Sequence, residues 1–130
     1  MNTTILVAVT DIFFYTKVRD ALRPQGYTLE RIRSQDEVVP KASAAKPAAM
    51  IVNMNDLGVD AFKALEALQG DPSLRSFPIL AFANHEEVDT WRRAKELGVT
   101  KVVSRNEFSS RTKDLIEELI HHQPSTQPGG

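Results

Sequence analysis

Five residues that could do chemistry stand where apolar runs of this chain give out. Thr10 and Asp11 follow the run "TILVAV" at 4–9, Asn53 follows Met50, Ile51 and Val52, Asp56 comes three residues later, and Arg105 follows "TKVVS". Carboxylates such as Asp11 and Asp56 hold hard cations or act as nucleophiles, and an arginine meets anions. Asn53 is an amide where such chemistry calls for an acid, and a neutral amide is a poor nucleophile. There is no cysteine, so disulfides, thiolate metal sites and a thiol nucleophile are excluded. His85 has no second histidine near it in sequence, because the others are His121 and His122 at the far end. No glycine-rich turn follows the first apolar run, and Ser104 beside Arg105 has no visible base. No catalytic constellation results. Each residue also has a plain structural use: Asn53 bonding loop backbone, Asp11 capping a helix, Asp56 in a solvated turn, His85 in a solvated loop.

The rest of the chain must supply the frame. Its 130 residues, 42% hydrophobic and 25% charged, suffice for one domain with a core and are too few for two. A formal net charge of -1 gives no footprint for nucleic acid or an anionic membrane. The start, "MNTTILVAVTD", has neither the basic region of a signal peptide nor the length of a membrane span. The expectation is one cytoplasmic domain over 1–122. The tail "QPSTQPGG" at 123–130 reads as a disordered segment or linker stub.

Strand and helix patterns alternate five times. "TILVAV" is a strand covered on both faces; Phe14, Val18, Ala21 and Leu22 recur at helical spacing after Asp11, and Pro24 and Gly26 end that helix. "YTLERI" is a second strand, and Ser34 with Glu37 makes a capping-box signature for a second helix that contains Pro40 and closes at Lys46-Pro47. "AMIV" precedes a helix bearing Phe62, Leu65 and Leu68, with Gly70 as C-cap. "FPILAFA" at 77–83, a helix over 86–97 stopped by Gly98, "TKVVS", and a helix over 107–122 complete the pattern. Such alternation implies a parallel sheet with helices on both faces, and any site lies outside the carboxyl ends of the strands.

"ILVAVTD", "NMNDLGVDAFKALEAL", "DPSLRSFPILAFAN" and "ELGVTKVVSRN" together resemble a response-regulator receiver domain, the phospho-accepting module of two-component signalling, over Thr4 to Ile120. The resemblance implies a flavodoxin-like (βα)5 doubly wound sheet with strand order 2-1-3-4-5. It sets Asn53 on the phospho-acceptor position, Val9 and Thr10 on the acidic pair that holds magnesium, Ala83 on the switch hydroxyl, and Arg105 on the lysine. Nearly every functional position therefore departs from the pattern. The implied class is a degenerate pseudo-receiver: no enzyme, no cofactor, no metal, and signalling through surfaces. With no phosphate to bind, Arg105 could pair with Asp11 or Asp56.

The same resemblance points to a partner-binding face on helix four, strand five and helix five, here carrying Trp91, Lys95, Val102 and Arg105. Its occupant is a signalling protein, or a second copy of the chain in a homodimer. Trp91, the single tryptophan, reads as core or as a half-exposed anchor on this face. Two other classes stay open: a small-ligand sensor or enzyme on the same fold, and a receiver phosphorylated on Asp56 or Asp11.

Overall fold

The computed structural model describes residues 3–74 and 76–121. Five strands, β1 (Thr4–Ala8), β2 (Thr28–Arg31), β3 (Ala49–Asn53), β4 (Ile79–Ala83) and β5 (Lys101–Ser104), alternate with five α-helices. The helices are α1 (Ile12–Leu22), α2 (Val38–Ala45), α3 (Ala61–Gln69), α4 (Val88–Glu96) and α5 (Arg105–His121). All strand pairs are parallel, in the order β2-β1-β3-β4-β5. This is the flavodoxin-like sheet that the alternation and the resemblance led us to expect. The tail 123–130 lies outside the described residues, as does His122.

The period-2 alternation of a strand explains why the central strands are apolar throughout. Leu6, Ala8, Met50, Val52, Ile79 and Ala81 face one way, into a layer with Ala42 of α2, Ala64, Leu65 and Leu68 of α3, and Ala94 of α4. Ile5, Val7, Ile51, Leu80, Phe82 and Val103 face the other way, against Val18 and Leu22 of α1 and Leu115, Ile116 and Leu119 of α5. Burying each of these larger side chains contributes about 1.5–3 kcal/mol. These two layers fix the sheet, and the sheet fixes where the strand-end loops meet.

Local chemistry sets the element ends. Asp11 caps α1, accepting from the amides of Phe13 and Phe14. Ser34 and Glu37 do not form a full capping box. The Ser34 side chain makes no cap bond, and Glu37 instead takes the Arg33 amide at 2.7 Å. Residues Gln35–Glu37 form a 3-10 turn, so Pro40 falls in the first turn of α2, where its missing N–H costs nothing. Lys46 ends α2 in the left-handed region (φ 45), an unusual place for a side chain, directly before Pro47. Gly98 has φ +94 and turns the chain from α4 toward β5, whereas Gly70 caps α3 with an ordinary φ of -73. Among the described residues no helix is long and apolar enough to cross a membrane.

Candidate functional site

The carboxyl ends of β1 and β3 are tied together by one carboxylate. Asp56 Oδ1 accepts from the Thr10 amide at 2.8 Å, and Oδ2 accepts from the Thr10 hydroxyl at 2.8 Å. Oδ2 also accepts from the amides of Gly58 and Val59, each at 2.9 Å. Asp56 is therefore the staple of its loop to the β1–α1 turn and not a solvated turn residue. The loop approaches so closely that a Cβ on Gly58 would lie 2.8 Å from both Cγ2 and Oγ1 of Thr10. Any side chain there would force Thr10 or the loop to shift. From the other side Arg31, the last residue of β2, donates to the Thr10 carbonyl at 2.6 Å and lies over the Tyr15 ring at 5.1 Å. Its Nε is buried without a partner. Sequence reasoning passed over Arg31. Its one signal was a cation at the carboxyl end of an edge strand.

Asn53 is 4% exposed at the end of β3. Its Oδ1 accepts from the Asn55 amide at 2.9 Å, the local turn bond that asparagine commonly makes. Asn55 carries the connection onward. Its Nδ2 donates to Glu87 Oε1 at 2.9 Å, and its Oδ1 accepts from the Asn84 amide at 3.2 Å. Asn84 Nδ2 reaches Glu87 Oε2 at 3.2 Å, and the Trp91 indole N–H donates to the Asn84 carbonyl at 3.0 Å. The hydrogen bonds from Asn55 and Asn84, with a smaller one from Thr90, hold the Glu87 carboxyl below the usual glutamate range; desolvation opposes them. Asn84, Asn55 and Glu87 form a polar junction between β3, β4 and α4 that no sequence motif announced.

Arg105 does not pair with Asp11 or Asp56. Its guanidinium lies 4.8 Å from the Phe14 ring centroid and 5.6 Å from that of Phe82. Those rings belong to a stack in which Phe82 and Phe108 are 4.4 Å apart and Phe14 and Phe82 4.9 Å. A planar, weakly hydrated cation gains from an aromatic face while leaving its edge wet. Asp11 caps α1 and Asp56 accepts from Thr10, Gly58 and Val59, and among the described residues neither forms an ion pair with the arginine. Val9 is fully buried in the layer under α1 and α5, and Ala83 is fully buried on the opposite face. His85 is exposed.

On the remaining face, Lys95, Thr100, Lys101, Val102, Glu118 and Leu119 line an open groove of about 760 Å³ between α4, β5 and α5. Lys95 is exposed, but Val102 is 8% exposed and forms the floor of the groove, not a projecting contact. Trp91 is half-buried, packed on the α2–α4 layer and held by its indole bond. Arg105 stands apart from this groove, over the aromatic stack at the carboxyl end of the sheet.

Solved structures with a similar backbone include receiver domains. The chain superimposes on the receiver domain of a response regulator from Bermanella marisrubri with a TM-score of 0.81, at 17% identity over 92% of this chain and 99% of that one. The fold is that of a receiver domain. The receiver domain of a signal transduction histidine kinase from Syntrophus aciditrophicus gives 0.81 at 19% identity, covering 98% of this chain and 97% of that one. A phosphorylated cyanobacterial phytochrome response regulator gives 0.81 at 14% identity over the whole of both chains. No protein-family profile and no curated protein sequence matches the chain.

Receiver domains imply magnesium at these strand ends, and the residues here do not fit it. The ion asks for carboxylate oxygens with free lone pairs in a near-octahedral set. Val9 is apolar, the Thr10 hydroxyl is turned to Asp56, and Asp56 Oδ2 already accepts three hydrogen bonds. Among the described residues no group of three His, Asp or Glu side chains could hold a metal ion.

Proposed function

We propose that this chain is a receiver-like interaction module of signal transduction that works without phosphorylation. The reading rests on one observation above the others: the Asp56 carboxylate is closed onto Thr10 and its own loop, across the place where a receiver would gather metal and phosphate. Acyl phosphate formation needs an ionised oxygen as nucleophile, and Asn53 supplies an amide oxygen engaged with the Asn55 amide. A cation to meet the phosphoryl group is also withdrawn, since Arg105 lies on Phe14 and Phe82. Phosphorylation of Asp56 on Oδ2 would displace three hydrogen bonds, and on Oδ1 that of the Thr10 amide, so either route loosens the staple.

With the reaction gone, function passes to surfaces. The groove lined by Lys95, Lys101, Val102 and Leu119 suits a signalling partner with an acidic rim and an apolar contact, a second copy being the alternative occupant. Two measurements test this. Incubation with a small phosphodonor and magnesium, followed by intact mass, should yield no phosphoryl adduct; a stoichiometric adduct on Asp56 or Asp11 would sink the reading. Affinity capture of the native partner should be weakened by Lys95→Glu, and an unchanged complex would remove the groove from the interface.

A further inference from the structure

A hollow of about 170 Å³ lies at the amino end of the sheet, away from the strand-end loops. It is enclosed by Leu65, Leu68 and Gln69 of α3, by Leu74 and Phe77, by Ile79 at the start of β4, and by Leu97 and Gly98 after α4. Leu65, Leu68, Leu74, Phe77 and Ile79 are buried. Gln69 and Leu97 are half-buried and Gly98 is exposed, so the opening lies between the last turn of α3 and the end of α4. The Gln69 amide flanks that opening, since a Cβ on Gly98 would stand 3.6 Å from its Nε2. Among the described residues no charged side chain lines the hollow.

The lining selects the ligand. Protein interiors leave few voids larger than a water molecule, so a space of this size within the α2–α4 layer is an exception to its packing. Water inside it would need several polar partners, and the Gln69 amide is the one polar side chain on its wall. An apolar void of about 150 Å³ walled by Leu, Ile and Phe stays dry and takes up benzene. A charged ligand would lose its hydration there with nothing to replace it. We propose that this hollow binds a small, uncharged molecule about the size of one aromatic ring. Its apolar body lies against Leu65, Leu68, Leu74, Phe77 and Ile79, and a single polar group meets the Gln69 amide. The site adjoins the groove between α4, β5 and α5 without belonging to it. The Ile79 amide donates to the Thr100 hydroxyl at 3.0 Å, and the Thr100 amide donates to the Ile79 carbonyl at 2.9 Å, while Thr100 itself lines the groove. The inference goes beyond the receiver-like reading and rests neither on the lost phosphorylation nor on a protein partner.

The test titrates p-cresol into the whole chain, with the leucine and isoleucine methyl groups isotope-labelled for magnetic resonance. The methyl signals of Leu65, Leu68, Leu74, Ile79 and Leu97 and the side-chain amide of Gln69 should shift saturably. The ion 4-methylbenzoate has the same ring and a carboxylate in place of the hydroxyl, and it should bind about tenfold more weakly or worse. Two variants close the space. Leu97→Phe sets a ring in the opening from a half-buried position, and Leu68→Phe fills the floor. Each, with an otherwise unchanged amide spectrum, should weaken p-cresol binding about tenfold; if the floor variant does not fold, Leu97→Phe decides alone. No phosphodonor and no protein partner enters the experiment, so its failure reads separately from that of the receiver-like reading. The proposal is overturned by the absence of saturable methyl shifts or by equal binding of 4-methylbenzoate. Shifts as large at the exposed Ile12, Leu57 and Val88, or undiminished binding to Leu97→Phe, would overturn it as well.

Discussion

Asp56 organises the site at the scale of single residues. A hydrogen bond to an ionised group contributes about 1.5–3 kcal/mol, and removing it also leaves the facing amides to find water. Three of Asp56's donors are backbone amides that the loop geometry cannot easily turn away. Asp56→Ala should therefore destabilise the protein by about 3 kcal/mol, read from urea denaturation. Gly58→Ala adds a methyl group 2.8 Å from Thr10 and should cost about 1–3 kcal/mol by overpacking in the same experiment. A near-silent result for both would mean that the loop is not held as described. Asn53→Asp bears on function instead. The new carboxylate would still lack first-strand acids to share a magnesium ion, so that variant should take up no phosphoryl group from a small donor. Its partner affinity should change less than tenfold. A phosphorylated Asn53→Asp protein with altered affinity would contradict the switchless reading.

Between elements, the junction of β3, β4 and α4 depends on a charge. Glu87 accepts from Asn55, Asn84 and Thr90, and those bonds favour its ionised form. A carboxylate whose folded-state pKa is depressed contributes stability that is complete above its unfolded value and is lost as pH falls through the folded one. The junction should therefore be intact at neutral pH and loosen in acid, below the usual glutamate range. Trp91 reports on it directly, because its indole N–H is bonded to the Asn84 carbonyl beside Glu87. Its fluorescence should shift in acid before global unfolding, and Glu87→Gln should abolish that early step. An early step that persists in Glu87→Gln would assign the acid sensitivity elsewhere. In α5 the helix is bent at Arg111 (φ -132), and Arg111 bridges Glu107 and Glu118 across the bend. Exposed pairs of this kind add about 0.2–1 kcal/mol each and hold the bend in register more than they stabilise the fold.

Across the whole molecule, the proposed reading leaves the positions that the resemblance sets on a receiver's switch, Ala83 and Arg105, without a moving part. Ala83 has no hydroxyl and is fully buried, and Arg105 is seated on a ring stack that also packs α1 against α5. A ligand shifts an equilibrium only between states that it contacts differently. One dominant conformation is expected, and titrating magnesium into the millimolar range should leave the amide spectrum unchanged at the strand ends. Saturable shifts of Thr10, Asn53 and Asp56 would overturn that expectation and make Asp56 a ligand.

The sequence by itself determined the architecture. A run such as "ILVAV" is apolar at every position because both sheet faces are covered, and the spacing of Val18 and Leu22 marks an inward helix face. Periodicity records the burial of each residue, so strands, helices, the Asp11 cap and the strand-end location of Asn53 were all legible. Boundaries moved by a residue or two where Pro78 or a loop bond intervened; β4 begins at Ile79 and not Phe77. The tertiary structure alone decided which groups meet at the site. Asp56 and Thr10 are 46 residues apart, Asn55 and Glu87 are 32 apart, and Arg31 reaches Thr10 from a strand of its own. Asp56 looked like a solvated turn residue, and Arg105 like its partner, because neither bears any local mark of what it touches. A hydrogen bond belongs to a pair of groups, and only the packed sheet, by fixing the register of its strands, brings these particular pairs within reach.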